Sequence, residues 1–162
     1  MNSLETIRHK IIVDWNELPE ILFEWKNSDQ KIVFTNGCFD IIHRGHIELL
    51  AKAADLGKKL IVGLNADDSV QRLKGPERPL QDEFSRAMIM ASFGFVDLVV
   101  LFQQDTPLEL ISLIKPDVLV KGGDYKAEEI VGYDVVTNNN GQVVTINFVE
   151  GYSTTSIVNK MK

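Results

Sequence analysis

The sequence predicts an α/β fold, a single doubly wound sheet of five parallel strands, and three observations predict it. Five short runs rich in Val, Ile and Leu, at residues 31–35, 60–64, 98–102, 118–120 and 143–148, lack polar alternation. Strands buried on both faces of a parallel sheet read this way. The segments between them carry apolar residues at helical spacing, and strand–helix alternation with short connections implies right-handed crossovers. A length of 162 residues with 44% hydrophobic content suits one such domain, able to bury its core without disulfides or a structural metal.

Taken in order, residues 1–30 read as an N-terminal helical lead-in, with Leu18, Ile21, Leu22 and Trp25 at i, i+3, i+4, i+7 and Pro19 in a first turn. Residues 31–162 read as the α/β domain. After the first strand, Ile47, Leu50, Ala51 and Ala54 repeat the helical spacing, with Gly57 placed as a left-handed C-cap. Phe84, Ala87, Met88 and Ala91 do the same behind Asp82, stopping at Gly94. Thr106-Pro107-Leu108-Glu109 reads as a capping box with proline at the first helical position, and Pro116 ends that helix. The residues from Ser153 onward form a short terminal helix.

Charge and cysteine usage exclude several classes. Seventeen Lys and Arg against 23 Asp and Glu give a net charge of −6. Nucleic-acid binding, which draws most of its affinity from a basic face, is therefore not expected. One cysteine, Cys38, permits no internal disulfide, and three histidines supply no Cys-rich zinc site. The first ten residues carry no apolar signal core and no stretch is long enough to span a membrane, so the expectation is a soluble cytoplasmic protein without membrane partners.

In a doubly wound sheet, ligands bind at the carboxyl ends of the strands. After the first strand stands Gly37-Cys38-Phe39-Asp40-Ile41-Ile42-His43-Arg44-Gly45-His46, opening a helix. Free amides and the helix dipole make that N-terminus an anion site, while Gly37 and Gly45 let the backbone approach a phosphate. His43 and His46 have no third ligand at metal spacing, so no metal site is assigned. Asp40 either ties down the turn or meets substrate. Cys38 reads as a small core-like thiol rather than a nucleophile. No Gly-x-x-x-x-Gly-Lys-Ser/Thr and no Gly-x-Gly-x-x-Gly is present, which removes the P-loop and the standard dinucleotide fingerprint. After the fourth strand, Lys121-Gly122-Gly123-Asp124-Tyr125 combines close backbone approach with a cation and an acceptor. After the fifth, Gly151-Tyr152-Ser153-Thr154-Thr155-Ser156 offers hydroxyls and amides at a second helix N-terminus.

These residues resemble the nucleotidyltransferase superfamily that includes the cytidylyltransferases. His43-Arg44-Gly45-His46 looks like its signature, and Gly151 to Thr155 is similar to its Gly-x-Ser-Thr-Thr segment. Lys121 to Tyr125, residues 65–79 and residues 102–107 are similar to the heptose-1-phosphate adenylyltransferase branch, and the similarity covers roughly residues 30–160. One departure is that cytidylyltransferase relatives carry an arginine where this chain has Phe148 and Val149.

The resemblance implies a Rossmann-like nucleotidyltransferase domain over residues 31–162, acting on ATP and a sugar phosphate to give ADP-heptose and pyrophosphate. It implies nucleotide binding by Gly37, Cys38, Phe39, His43, Gly45, His46, Gly122, Gly123, Asp124, Gly151, Ser153, Thr154 and Thr155. Asp40, Arg86 and Lys121 would meet the sugar phosphate. His43, His46 and Lys74 would stabilise charge at the reacting phosphates. Mg²⁺ is expected with ATP, held mostly by phosphates and water. A homodimer is expected, with a separate protein as the sugar kinase. The runner-up is a cytidylyltransferase acting on glycerol 3-phosphate or another small polyol phosphate. A third reading is a non-catalytic nucleotide-binding module. The protonation of the two histidines stays open, because phosphates favour imidazolium and a helix N-terminus favours the neutral ring.

Overall fold

The computed structural model describes residues 1–162. Six parallel strands form one sheet, in the order β1-β4-β3-β2-β5-β6: β1 (Ile11–Ile12), β2 (Ile32–Gly37), β3 (Lys59–Asn65), β4 (Leu98–Phe102), β5 (Val118–Gly122) and β6 (Gln142–Ile146). The doubly wound α/β expectation stands, but the count of five strands does not. The additional strand is β1, in the segment read as a helical lead-in, where Ile11 and Ile12 pair with Val99 and Val100. Two residues followed by an exposed Val13 leave no periodic signal to read.

Alternation along the buried strands divides the core into two layers. Val33, Leu60, Val62, Val99, Val118 and Val120 face one side, where they meet α3 (Arg44–Ala54) and α5 (Glu83–Ser92). Ile32, Phe34, Ile61, Val100, Phe102 and Leu119 face the other, covered by α2 (Leu18–Asn27), α6 (Leu108–Ile114) and α7 (Tyr133–Asn138). The remaining helices are α1 (Ser3–His9), α4 (Asp67–Lys74) and α8 (Thr154–Met161). No helix is long and apolar enough to cross a membrane.

Several helix details differ from the sequence reading. α3 buries Leu49, Leu50 and Ala53, while Ile47 is exposed, so its inward stripe is rotated from the one expected. It ends at Ala54, and Gly57 takes no positive φ. Gly57 is needed for space instead, since a Cβ there would lie 2.6 Å from Val33 Cγ2 and 2.7 Å from the Lys31 carbonyl. α6 begins one residue late for a capping box. Pro107 occupies the N-cap, and Glu109 accepts a hydrogen bond from Gln104 Nε2 rather than returning to the backbone. On α5 Phe84 is exposed, and Arg86 points inward with Ala87, Met90 and Ala91.

Candidate active site

The strand order places β2 and β5 side by side at the centre, with β3 and β4 running off one way and β6 the other. That is the switch point, where loops diverge and leave a crevice. A cavity of about 200 Å³ opens there, floored by Asn36, Gly37 and Gly122 and walled by Phe39, His46, Lys74, Lys121, Tyr125, Phe148 and Thr154. Cys38, Asp40 and Leu49 complete its lining.

The two histidines are locked by the backbone of their own helix start. His43 is the N-cap of α3, and its Nδ1 accepts a hydrogen bond from the Gly45 amide at 3.1 Å. His46 Nδ1 accepts from the His43 amide at 3.4 Å, so the pair builds a reciprocal cap. The rings stack at 3.8 Å between centroids, and Phe39 meets His46 edge-on at 5.4 Å. A Cβ on Gly45 would lie 2.9 Å from His43 Cε1, and one on Gly37 the same distance from Phe39 Cε2. Each glycine therefore makes room for an aromatic ring of the site. A ring nitrogen that accepts an amide hydrogen carries no proton, which leaves Nε2–H as the free donor on each imidazole. Burial holds His43 below its ordinary pKa. Burial, then His43 and Lys74, push His46 down to about 4. Both shifts favour the neutral ring in the unliganded site.

Asp40 and Arg86 have other tasks than the substrate contact expected of them. Asp40 is 2% exposed, and its carboxylate accepts from the Leu80 amide (2.8 Å), the Gln81 amide (2.9 Å) and Arg78 Nε (2.8 Å). Burial alone would push its carboxyl up, but those amides and Arg78 outweigh burial and hold it below the usual value. Arg86 is fully buried. Its Nη1 donates to the carbonyls of Cys38 (2.7 Å) and Asn65 (2.8 Å), Nε to Gln81 (3.0 Å) and Nη2 to Asp67 Oδ1 (2.8 Å). A buried guanidinium needs such partners: four of its five N–H donors are engaged within the protein, and its full burial keeps it from meeting a phosphate. The two residues frame the site from behind by tying the ends of β2 and β3 to the loop ahead of α5.

Gly37, Cys38, Phe39, His46, Lys74, Lys121, Gly122 and Thr154 are thus brought together around the cavity. His43 stands one ring behind His46, and Gly45 lies beneath it. Ser153 Oγ is engaged as the N-cap of α8, accepting from the Ser156 amide, and Thr154 Oγ1 donates to the Ile41 carbonyl at 3.4 Å. Gly151 has φ +82° and Gly123 +116°, values that disfavour any side chain. Asp124, Gly151, Ser153 and Thr155 are exposed and lie outside the cavity lining. Burial pushes the Cys38 thiol up despite Lys74 and Arg86, so it stays protonated, as a packing thiol should. Sequence reasoning passed over Asn36 as a lining residue. It also passed over Asn65, the polar end of an apolar strand, and Arg78. A polar residue at the carboxyl end of a buried strand was the signal available for both asparagines.

The cytidylyltransferase-like family model matches residues 34–160. The chain is 57% identical over 143 residues to a protein of Campylobacter jejuni subsp. jejuni serotype O:6 named bifunctional protein HldE, covering 88% of this chain and 30% of that protein. A protein of the same name from Paramagnetospirillum magneticum is 51% identical over 156 residues, covering 96% and 32%. The chain thus spans about a third of the length of the relatives it matches. Among solved structures, the lipopolysaccharide core biosynthesis protein of Thermoplasma volcanium superposes with a TM-score of 0.61 at 26% identity, covering 76% of this chain and 99% of that one. With the two motifs at facing helix starts and the match running nearly from β2 to the last helix, the chain belongs to the cytidylyltransferase-like family of nucleotidyltransferases.

Proposed function

We propose that the chain transfers the adenylyl group of ATP to a sugar 1-phosphate, a heptose 1-phosphate, releasing pyrophosphate. The observation that carries this reading is the pair of neutral, backbone-locked histidines beside Lys74 and Lys121 at the switch-point cavity. A phosphate monoester has a second pKa of about 6, so the acceptor is largely dianionic at neutral pH and needs no general base. One of its oxygens forms a bond to the α-phosphorus. The bond from that phosphorus to the β-bridging oxygen breaks, and pyrophosphate leaves with the electron pair. Catalysis is then alignment plus stabilisation of charge on the α-phosphate and the leaving group. His43 and His46 supply N–H donors that stay neutral and aligned through the step, and Lys74 supplies positive charge. A donor already fixed in place pays no reorganisation when charge develops.

Phe148 stands on the cavity wall in place of the arginine of cytidylyltransferase relatives, and the loss of that cation weighs against CTP. Mg²⁺ enters this reading as part of the metal–ATP substrate. No three His, Cys, Asp or Glu side chains cluster to ligate it. The test is pyrophosphate release with ATP and CTP crossed against heptose 1-phosphate and glycerol 3-phosphate. Turnover confined to ATP with the heptose is expected. Turnover confined to CTP with glycerol 3-phosphate would replace this reading with a cytidylyltransferase, and silence in every combination would make the chain a binding module.

A further inference from the structure

A second cavity, of about 420 Å³, adjoins the first and shares Asn36, Gly37, Cys38, Lys121 and Tyr125 with it. Its volume lies within the roughly 300–1,000 Å³ of small-molecule sites, whereas the first is large enough for only part of a nucleotide. The lining of the two differs in kind. The first holds His46, Lys74 and Thr154. The second holds Asn65, Asp105 and Glu129, acceptors suited to hydroxyl groups rather than to phosphate.

Asn65 points to a ligand independently of the cavity. It is 4% exposed and ends β3. Its Nδ2 donates to Ser69 Oγ at 3.0 Å, and its carboxamide oxygen accepts from no protein group. A carboxamide oxygen that an otherwise buried residue opens onto a cavity wall is an acceptor suited to a ligand's donor. Asp105 is held in position by Arg72 Nε at 2.7 Å, and the Glu129 side chain makes no hydrogen bond or ion pair within the protein.

We propose that this cavity is the acceptor subsite and that it selects a polyhydroxylated sugar phosphate, an inference that rests on the adenylyl-transfer reading above. Charge dictates the orientation. Two carboxylates repel a dianionic phosphate and attract hydroxyls, so the sugar ring lies toward Asp105, Glu129 and Asn65. Its phosphate lies toward Lys121, the cation that belongs to both cavities and sits 5.3 Å from the Tyr125 ring centroid. That arrangement delivers the acceptor phosphate to the junction where the α-phosphate of the nucleotide must lie. Glycerol 3-phosphate, with two hydroxyls, leaves at least one of these three acceptors without a partner.

The test is the steady-state kinetics of Glu129→Ala and Asp105→Ala with ATP and heptose 1-phosphate. Both positions are exposed, so the fold should survive, which thermal melting checks. Each variant should raise KM for the sugar phosphate at least about tenfold, the range of a hydrogen bond to a charged group, while KM for ATP stays within about twofold. An active wild type whose variants keep the acceptor KM, or raise both KM values alike, overturns the subsite and leaves adenylyl transfer standing. A wild type that is silent with ATP and the sugar phosphate, or that turns over only glycerol 3-phosphate, removes the underlying reading and the subsite with it.

Discussion

The starts of α3 and α8 both contribute to the same cavity, through His46 and Thr154, yet they are held in opposite ways. Behind α3 stands a buried frame. Gly45 is buried, Phe39 presses on His46, and the Cys38 carbonyl is pinned by Arg86, itself fully buried. α8 buries no residue, and its one side-chain hydrogen bond to another part of the chain runs from Thr154 to Ile41 at 3.4 Å. One helix start is a finished donor array, and the other is a self-capped end resting on the surface. The difference teaches where transition-state stabilisation belongs, because only donors that hold their position without ligand act at no cost of reordering. On the proposed function, the α8 hydroxyls would bind the nucleotide and the α3 imidazoles would serve the chemical step.

Breaking the frame should give the largest effect. Arg86→Met removes the guanidinium that satisfies three carbonyls and Asp67, leaving them without partners beside an apolar side chain. Removing one partner from a buried ionic cluster costs about 3–5 kcal/mol. For a domain of this size that is a fall in Tm on the order of 10 °C. Differential scanning calorimetry decides it. A Tm within two degrees of wild type, on the same scale, would mean that the loop around Asp40, not Arg86, carries the frame.

Next comes the chemistry attached to that frame. His43→Ala should lower kcat at least about a hundredfold, as loss of a positioned donor does. Its cost in stability should be only the roughly 1 kcal/mol of a lost N-cap. Stopped-flow pyrophosphate release and thermal melting separate the two. Near-normal turnover would take His43 out of the chemistry and leave it a helix cap alone.

The pH dependence sharpens the contrast. His46, with a folded pKa of about 4 against 6.5 ordinarily, stays neutral throughout the physiological range. The acid limb of kcat/KM should therefore follow the acceptor's second ionisation near about pH 6, and should stay at that pH in His43→Ala. Stability follows a different sign rule. The unfolded chain binds the His46 proton more readily than the folded one. The stabilisation from its neutral ring is fully present above about pH 6.5 and is lost as pH falls from there toward 4. A His46→Asn variant should show flatter melting between those values, and an unchanged slope would mean that the ring is not buried against its partners in solution.

The legibility of the molecule divides along the same physical lines. Signals local in sequence were readable: the apolar runs, the glycines at strand ends, and the terminal helix that opens at Ser153. Features that depend on which side of a helix turns inward were not. Apolar spacing assigned Phe84 to the core of α5, and the structure buries Arg86 two positions on, because acceptors from β2, β3 and the preceding loop converge there. No window of sequence shows that convergence, so a buried hub read as a cation for the sugar phosphate. The edge strand Ile11–Ile12 escaped for a related reason, since its pairing with Val99 and Val100 is made entirely across the chain.

The smallest expected effect belongs to the exposed helix start. Ser153→Ala removes an oxygen that caps the Ser156 amide on a helix with no buried residue. A lost serine cap costs about 1 kcal/mol. Because α8 packs so lightly, that loss should fray its first turn rather than unfold the domain. Hydrogen exchange should then quicken at Ser156 and Ile157 while the amides of β2 and β3 keep their protection. KM for ATP should rise by a few-fold with kcat nearly unchanged, the pattern of lost ground-state binding. A fall in kcat as deep as that of His43→Ala would instead make both helix starts one preorganised unit, and the contrast between them would fail.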